Sequence, residues 1–169
     1  MPDDLSLPLL NLFDVQDESG KIRHLICFLD AVRAGAEGIN PKAIVGEIPS
    51  EESVGPNEFD PKDFQLNAGF IESLTGFLND CAPQSAELQA QARSITSGWL
   101  YLIDPRHHDP NSEPTDADTI GAFAVDDTGQ IVPGSFLYNE KHRFFSTESG
   151  LSGLLMNRDF YDWLNAPAE

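Results

Sequence analysis

The residues best suited to chemistry lie in the segment 104–118, which follows an apolar run and is rich in acids and proline. It brings four possible ligands close together in the chain: Asp104, His107, His108 and Asp109. Imidazole and carboxylate groups are the usual protein ligands of zinc, iron and manganese. His142 is the best candidate for a distant fourth or fifth ligand, because its hairpin is expected to neighbour the strand that precedes the loop. One hypothesis is therefore a small metal-dependent enzyme that uses this loop.

A solvated turn is the alternative that we favour for the same loop. Adjacent histidines in an extended chain point in different directions, so one metal ion rarely takes both. Calcium is a further reading, since Asp109, Asn111 and Glu113 alternate as oxygen ligands do. The loop lacks the glycine and the bidentate glutamate of an EF-hand, however. We therefore predict no bound metal and exposed side chains for His107 and His108.

Other catalytic patterns are weaker. The sequence 149–153 (SGLSG) lacks the Gly-x-Ser-x-Gly spacing of a nucleophile elbow. Cys27 and Cys81 lie in apolar surroundings and are expected to pack as small buried hydrophobes. No glycine-rich phosphate-binding loop is present in the sequence, which argues against nucleotide cofactors. We predict no cofactor.

The charge of the chain is its strongest signal. The 169 residues carry 28 Asp and Glu against 10 Lys and Arg, a net charge of -18. Nucleic acids and anionic membranes bind chiefly through Lys and Arg, so neither is an expected partner. Nine acids and a single base lie in the segment 43–92. The predicted binding residues in it are Glu51, Glu52, Glu58, Asp60 and Asp63.

An acidic face accelerates encounter with a basic protein. The sequence therefore predicts a protein that binds a basic partner, as an inhibitor, an immunity protein or a regulatory protein does. A charge that serves solubility alone is the competing interpretation. The chain begins without a basic, apolar leader and holds no apolar run of about 18 residues. We expect a cytoplasmic location and no membrane contact.

The elements that must position these residues follow from hydrophobic periodicity. Strands are predicted at 7–15, 22–29 and 43–48, then two amphipathic helices from Asn67 and from Ser85, then strands at 99–103, 120–125 and 131–138. A C-terminal helix over 150–165 should bury Trp163. The strand 99–103 has apolar residues on both faces, which favours a central position. The whole pattern predicts an α+β fold, with 1–169 as a single domain. Its largely antiparallel sheet of about five to six strands would carry the two central helices and the C-terminal helix.

Overall fold

The computed structural model describes residues 9–48, 63–107, 109, 111–146 and 150–166. Within them the fold class is α+β, and the predicted strands and helices occur in the expected order with shorter elements between them. Of the predicted strand 131–138, only Leu137–Tyr138 forms a strand, with Ile131 in an isolated bridge. The strands are β1 (Leu10–Gln16), β2 (Ile22–Phe28), β3 (Ile44–Ile48), β4 (Gln65–Leu66), β5 (Gly98–Ile103), β6 (Thr119–Val125), β7 (Leu137–Tyr138), β8 (Phe145–Ser146) and β9 (Gly150–Leu151). The helices are α1 (Ala31–Glu37), α2 (Ala68–Cys81), α3 (Ala86–Arg93) and α4 (Arg158–Leu164).

The chain divides into two compact units, 1–71 with 155–169, and 72–154. The strands pair antiparallel in separate sheets of four, three and two strands, ordered β1-β2-β3-β4, β5-β6-β7 and β8-β9. The antiparallel character was predicted, but the strands do not share one sheet. The domain count stays a prediction. No helix in the described part of the chain is long and apolar enough to cross a bilayer.

The first unit is built around the β1–β2 hairpin. Asp17 stabilises its turn, because one carboxylate oxygen accepts the N–H groups of Ser19 and Lys21 at 2.9 and 3.0 Å. β2 is buried from His24 onward. Asp30 then caps α1, accepting the N–H of Arg33 at 2.8 Å.

The C-terminal helix differs from the prediction. Instead of one helix over 150–165, a short strand and a 3₁₀ turn precede α4, whose first turn Asn157 caps. Phe160 and Tyr161 are buried, but Trp163 is 38% exposed, so the prediction that its ring is buried was wrong. The buried face of α4 consists of Phe160, Tyr161 and Leu164, and the Tyr161 hydroxyl donates a 2.6 Å hydrogen bond to Asp30.

The second unit carries the three-stranded sheet. A turn over 126–130, with Gly129 at φ 78°, follows β6 and brings Ile131 back to pair with Val125. Gly121 permits close strand pairing, because a Cβ there would lie 2.2 Å from the carbonyl oxygen of Leu137. β5 lies at the edge of this sheet, so the prediction of a central strand was wrong. Its apolar residues alternate, with Leu100 buried and its two aromatic neighbours exposed.

Candidate functional site

Asp104 directly follows β5 and is the centre of a buried polar cluster in the second unit. Its side chain is fully buried. Oδ2 accepts a hydrogen bond from the Ser152 hydroxyl at 2.5 Å and lies 2.8 Å from Nε2 of His142. Oδ1 accepts the backbone N–H groups of Gly153 and Arg106, at 2.8 and 3.2 Å. Four donors from three separate segments thus converge on one carboxylate, and we call this set the Asp104 cluster.

The cluster keeps its carboxylate ionised. Burial raises the pKa of Asp104, but the hydrogen bonds from His142, Ser152, Gly153 and Arg106 outweigh it and hold the pKa at about 2. On the far side of the imidazole, Nδ1 of His142 lies 3.0 Å from the Tyr138 hydroxyl. Both ring nitrogens of His142 are therefore engaged.

Arg106 ties the surrounding segments together. Its Nε donates to Asp118 at 2.8 Å and lies 4.0 Å from the Asp104 carboxylate. Its Nη2 donates to the carbonyl oxygens of Ala117 and Arg143, at 2.8 and 2.7 Å. A planar guanidinium suits such a set of acceptors better than an ammonium group does. Arg106 consequently holds the two ends of the 104–118 loop against the segment that carries His142.

The cluster has the residue types of a serine hydrolase in a different arrangement. A nucleophilic serine needs a base that takes its proton, and in a catalytic triad this base is the histidine. Here the Ser152 hydroxyl donates to Asp104 and accepts the N–H of Leu154 at 3.2 Å. His142 donates to the same carboxylate and is itself buried. The geometry is that of a structural anchor that joins β5, the loop after it and the segment around Ser152.

The structure brings together part of the predicted metal site. His142 does reach Asp104, but its hairpin does not neighbour β5 as predicted, because β7 pairs with β6 on the side away from β5. His107 turns elsewhere, with Nε2 3.1 Å from the carbonyl oxygen of Ser112 and Nδ1 3.8 Å from Asp118. Its side chain is only 17% exposed, so the prediction of an exposed His107 was wrong. Asp109 is exposed, and His108 lies outside the described residues.

Among the residues that the structure describes, no three His, Cys, Asp or Glu side chains are grouped so as to hold a metal ion. Neither cysteine is in a disulfide, and burial raises the pKa of the Cys27 thiol to about 12. A thiol with so high a pKa is a poor nucleophile.

Most of the predicted acidic binding residues fall outside the described part of the chain. Glu51, Glu52, Glu58 and Asp60 lie outside the described residues, whereas Asp63 is described and exposed. Glu47, from the same acidic segment, forms an ion pair with Arg23. The binding role of this segment stays a prediction.

A second feature of the sheet was not predicted. One face of the β5-β6-β7 sheet exposes large apolar side chains. We call this surface, formed by Trp99, Tyr101 and Leu137, the aromatic face. Trp99 lies opposite Ala124, and Tyr101 lies opposite Ala122 in the β5–β6 register. Leu137 is the other neighbour of Ala122. Their exposed fractions are 47% for Trp99 and 62% for both Tyr101 and Leu137.

The aromatic face has the composition of a contact surface, since tryptophan and tyrosine are enriched in protein interfaces. Ala122 and Ala124 are small, so the rings of Trp99 and Tyr101 beside them remain exposed. The exposed surface of the three large side chains is on the order of 400 Å², the size of the largest apolar patch on an ordinary monomer, which is often functional. The sequence held one signal for it, the alternation of aromatic and aliphatic residues in Gly98–Ile103. The same run also fits a strand with apolar residues on both faces, which is the prediction that the structure corrects.

No known protein family, no curated protein and no solved structure matches this chain.

Proposed function

We propose that this protein works by binding a basic protein partner, as inhibitors, immunity proteins and regulatory proteins do. The observation that carries the proposal is the aromatic face, which exposes Trp99 and Tyr101 on a protein of net charge -18. Tryptophan and tyrosine are the residues most enriched among the energetic centres of protein interfaces. Both rings also attract Lys and Arg side chains through cation–π contacts.

The negative charge of this protein favours a basic partner. Residues 72–154, which include the aromatic face, carry twelve Asp and Glu against four Lys and Arg. Such a surplus attracts basic proteins and repels acidic ones. The aromatic face supplies affinity after encounter, while the acids raise the rate of encounter. Glu51, Glu52, Glu58, Asp60 and Asp63 add to that attraction in the other unit.

The test uses tagged protein as bait in the source cell, followed by identification of stoichiometric partners. The wild type is compared with the double variant Trp99→Ser, Tyr101→Ser. Val32→Ser is the matched control, because Val32 is 72% exposed and lies in α1, in the other unit. We expect a protein of basic isoelectric point to copurify with wild type and control, and to be lost from the double variant. A double variant that keeps the partner would exclude the aromatic face.

A second measurement separates the two contributions. With the purified partner, amide replacement of Glu51, Glu52, Glu58 and Asp60 should slow association and flatten its salt dependence, with little change in dissociation. Unchanged association at low salt would remove this segment from the interaction.

The metal content of the same purified protein tests the competing enzyme hypothesis. Stoichiometric zinc, manganese or iron that is lost on His107→Ala or His108→Ala would favour the enzyme.

A further inference from the structure

The edge strand β5 lacks the features with which proteins usually protect a sheet edge. Natural edges are kept from pairing by charges, proline, bulges or shortness. β5 has six residues, with the sequence GWLYLI and neither a charge nor a proline. Its single register shift lies at the far end, between Leu102 and Ile103. By contrast, the edge strand β1 of the four-stranded sheet carries Asn11 and Asp14.

The hydrogen-bond pattern shows which backbone groups of β5 face outward. Ala124 of β6 directs both its backbone groups away from β5, since its carbonyl oxygen accepts the N–H of Val132 at 2.9 Å and its N–H donates to the Ser135 hydroxyl at 3.0 Å. Trp99, opposite Ala124, is therefore in a non-hydrogen-bonded pair and directs its own N–H and C=O outward. Tyr101, two residues on, does the same.

These outward groups are available for pairing. Within the described ranges, no strand other than β6 pairs with β5, and no hydrogen bond reaches the outward groups of Trp99 or Tyr101. The same two residues expose their rings on the aromatic face. A strand laid along this edge would thus satisfy backbone groups and touch both rings at once.

Exposed acids outnumber exposed bases in the segments that flank this strand: 86–97, 104–118 and 126–130 show five exposed acids and one exposed base, Arg93, among their described residues. Asp127 is exposed in the turn after β6, close to the start of β5, because Gly98 pairs with Val125. Asp109 and Glu113 are exposed in the loop that follows β5. An uncharged strand whose flanking segments carry a surplus of carboxylates is complementary to a segment with an apolar or neutral middle and basic residues on either side of it.

We propose that the partner adds an extended cationic segment to β5 as a further strand of the β5-β6-β7 sheet. The inference rests on the proposed function and specifies its binding mode. Six residues of β5 accept a segment of about six residues, roughly 20 Å long. Backbone hydrogen bonds to Trp99 and Tyr101 hold it, and Lys or Arg at its ends meet the flanking carboxylates.

A second copy of this chain is a poorer occupant of the edge. Pairing β5 with β5 would bring together two molecules of net charge -18 each. Like charges of this size oppose association at physiological salt.

The experiment uses the full-length protein and three synthetic peptides. The first has alternating valine and threonine between Lys–Arg pairs at both ends. The second has the same sequence with alternate backbone nitrogens methylated on the edge that would face β5, which removes the donors but neither the charge nor the side chains. The third replaces the basic ends with glutamate. Binding is measured by titration calorimetry, and the Trp99 and Tyr101 amides are followed by hydrogen exchange in NMR spectra.

We expect the first peptide alone to bind and to slow exchange at the Trp99 and Tyr101 amides. Tyr101→Lys should weaken the binding of the first peptide by on the order of tenfold or more, whereas Tyr101→Phe should retain its binding. Equal binding of the methylated peptide, or binding without amide protection, would overturn strand addition and leave the proposed function in place. Failure of the first peptide to bind at low salt would overturn strand addition as well. The capture experiment with native partner tests the proposed function separately.

Sedimentation equilibrium of the protein alone tests whether a second copy of this chain occupies the edge of β5. A monomer at 0.15 M and 1 M salt is the expected result. A dimer that Tyr101→Lys dissociates would assign the edge to a second copy and overturn the proposal.

Discussion

Replacing Asp104 with Asn tests whether the Asp104 cluster anchors the second unit through an ionised carboxylate. The carboxylate accepts four hydrogen bonds, and an amide offers one acceptor oxygen where two were present. The folded protein lowers the pKa of Asp104 from 3.8 to about 2. This difference corresponds to about 2 kcal/mol of stability at neutral pH. We therefore expect Asp104→Asn to lower the free energy of unfolding by about 2–3 kcal/mol at pH 7.

The stability that Asp104 contributes should depend on pH, and the direction of that dependence follows from its lowered pKa. Because the pKa is lowered on folding, the contribution of Asp104 is complete above about pH 5 and is lost as the pH falls towards 2. About half of it should be gone by pH 3. The stability difference between wild type and Asp104→Asn should shrink accordingly between pH 6 and pH 3. Other carboxylates titrate in both proteins and cancel in this difference.

Urea denaturation, followed by tryptophan fluorescence and far-UV circular dichroism at each pH, measures the effect. Asp109→Asn is the matched control, because Asp109 is exposed in the same loop, and its stability should change by less than about 0.5 kcal/mol. A stability difference that stays constant from pH 6 to pH 3 would refute the anchoring role of the charge. So would a loss below about 0.5 kcal/mol at pH 7.

Three further comparisons, made with five substitutions, test the packing within each unit by the same denaturation assay. Arg106→Lys should cost about 2–3 kcal/mol, because one ammonium group cannot reach the acceptors of the guanidinium; a neutral change would contradict its clamping role. Phe160→Ala should cost about 3–5 kcal/mol and Trp163→Ala less than half as much, since Phe160 is fully buried and Trp163 is partly exposed. The reverse order would show that α4 is rotated. Gly121→Ala should cost more than about 2 kcal/mol because its Cβ would overlap a backbone carbonyl, whereas Gly35→Ala, with open space in α1, should add about 0.5–1 kcal/mol. Equal effects of the two alanines would contradict the strand spacing.

Local patterns predicted the elements well. The first two strands, the start of α2 after Asn67 and the start of α3 after Ser85 all agree with the structure. Each of these features depends on residues within a few positions of one another, such as a side-chain oxygen and the N–H groups it accepts. Short-range interactions of this kind can be read from the sequence directly.

The candidate site could be predicted only in part. Asp104 and His142 were proposed as neighbours, and they are hydrogen-bonded. The sequence pattern around Ser152 argues only against a role as a nucleophile and gives no sign that its hydroxyl donates a hydrogen bond to Asp104. Its contact with Asp104 joins residues 48 positions apart. No periodicity or motif in the sequence marks such a contact, because it is made by the tertiary packing of separate loops.

The sequence by itself determined the α+β class, the helix caps and the strong negative charge, since these depend on composition and on neighbours in the chain. Tertiary structure alone decided that β5 is an edge strand and that Trp99 and Tyr101 face outward. The sequence of an apolar strand does not show whether one or both of its edges are paired, because pairing depends on which distant strands lie beside it. The surface on which both proposals rest was therefore hidden in a segment whose residues had indicated a core.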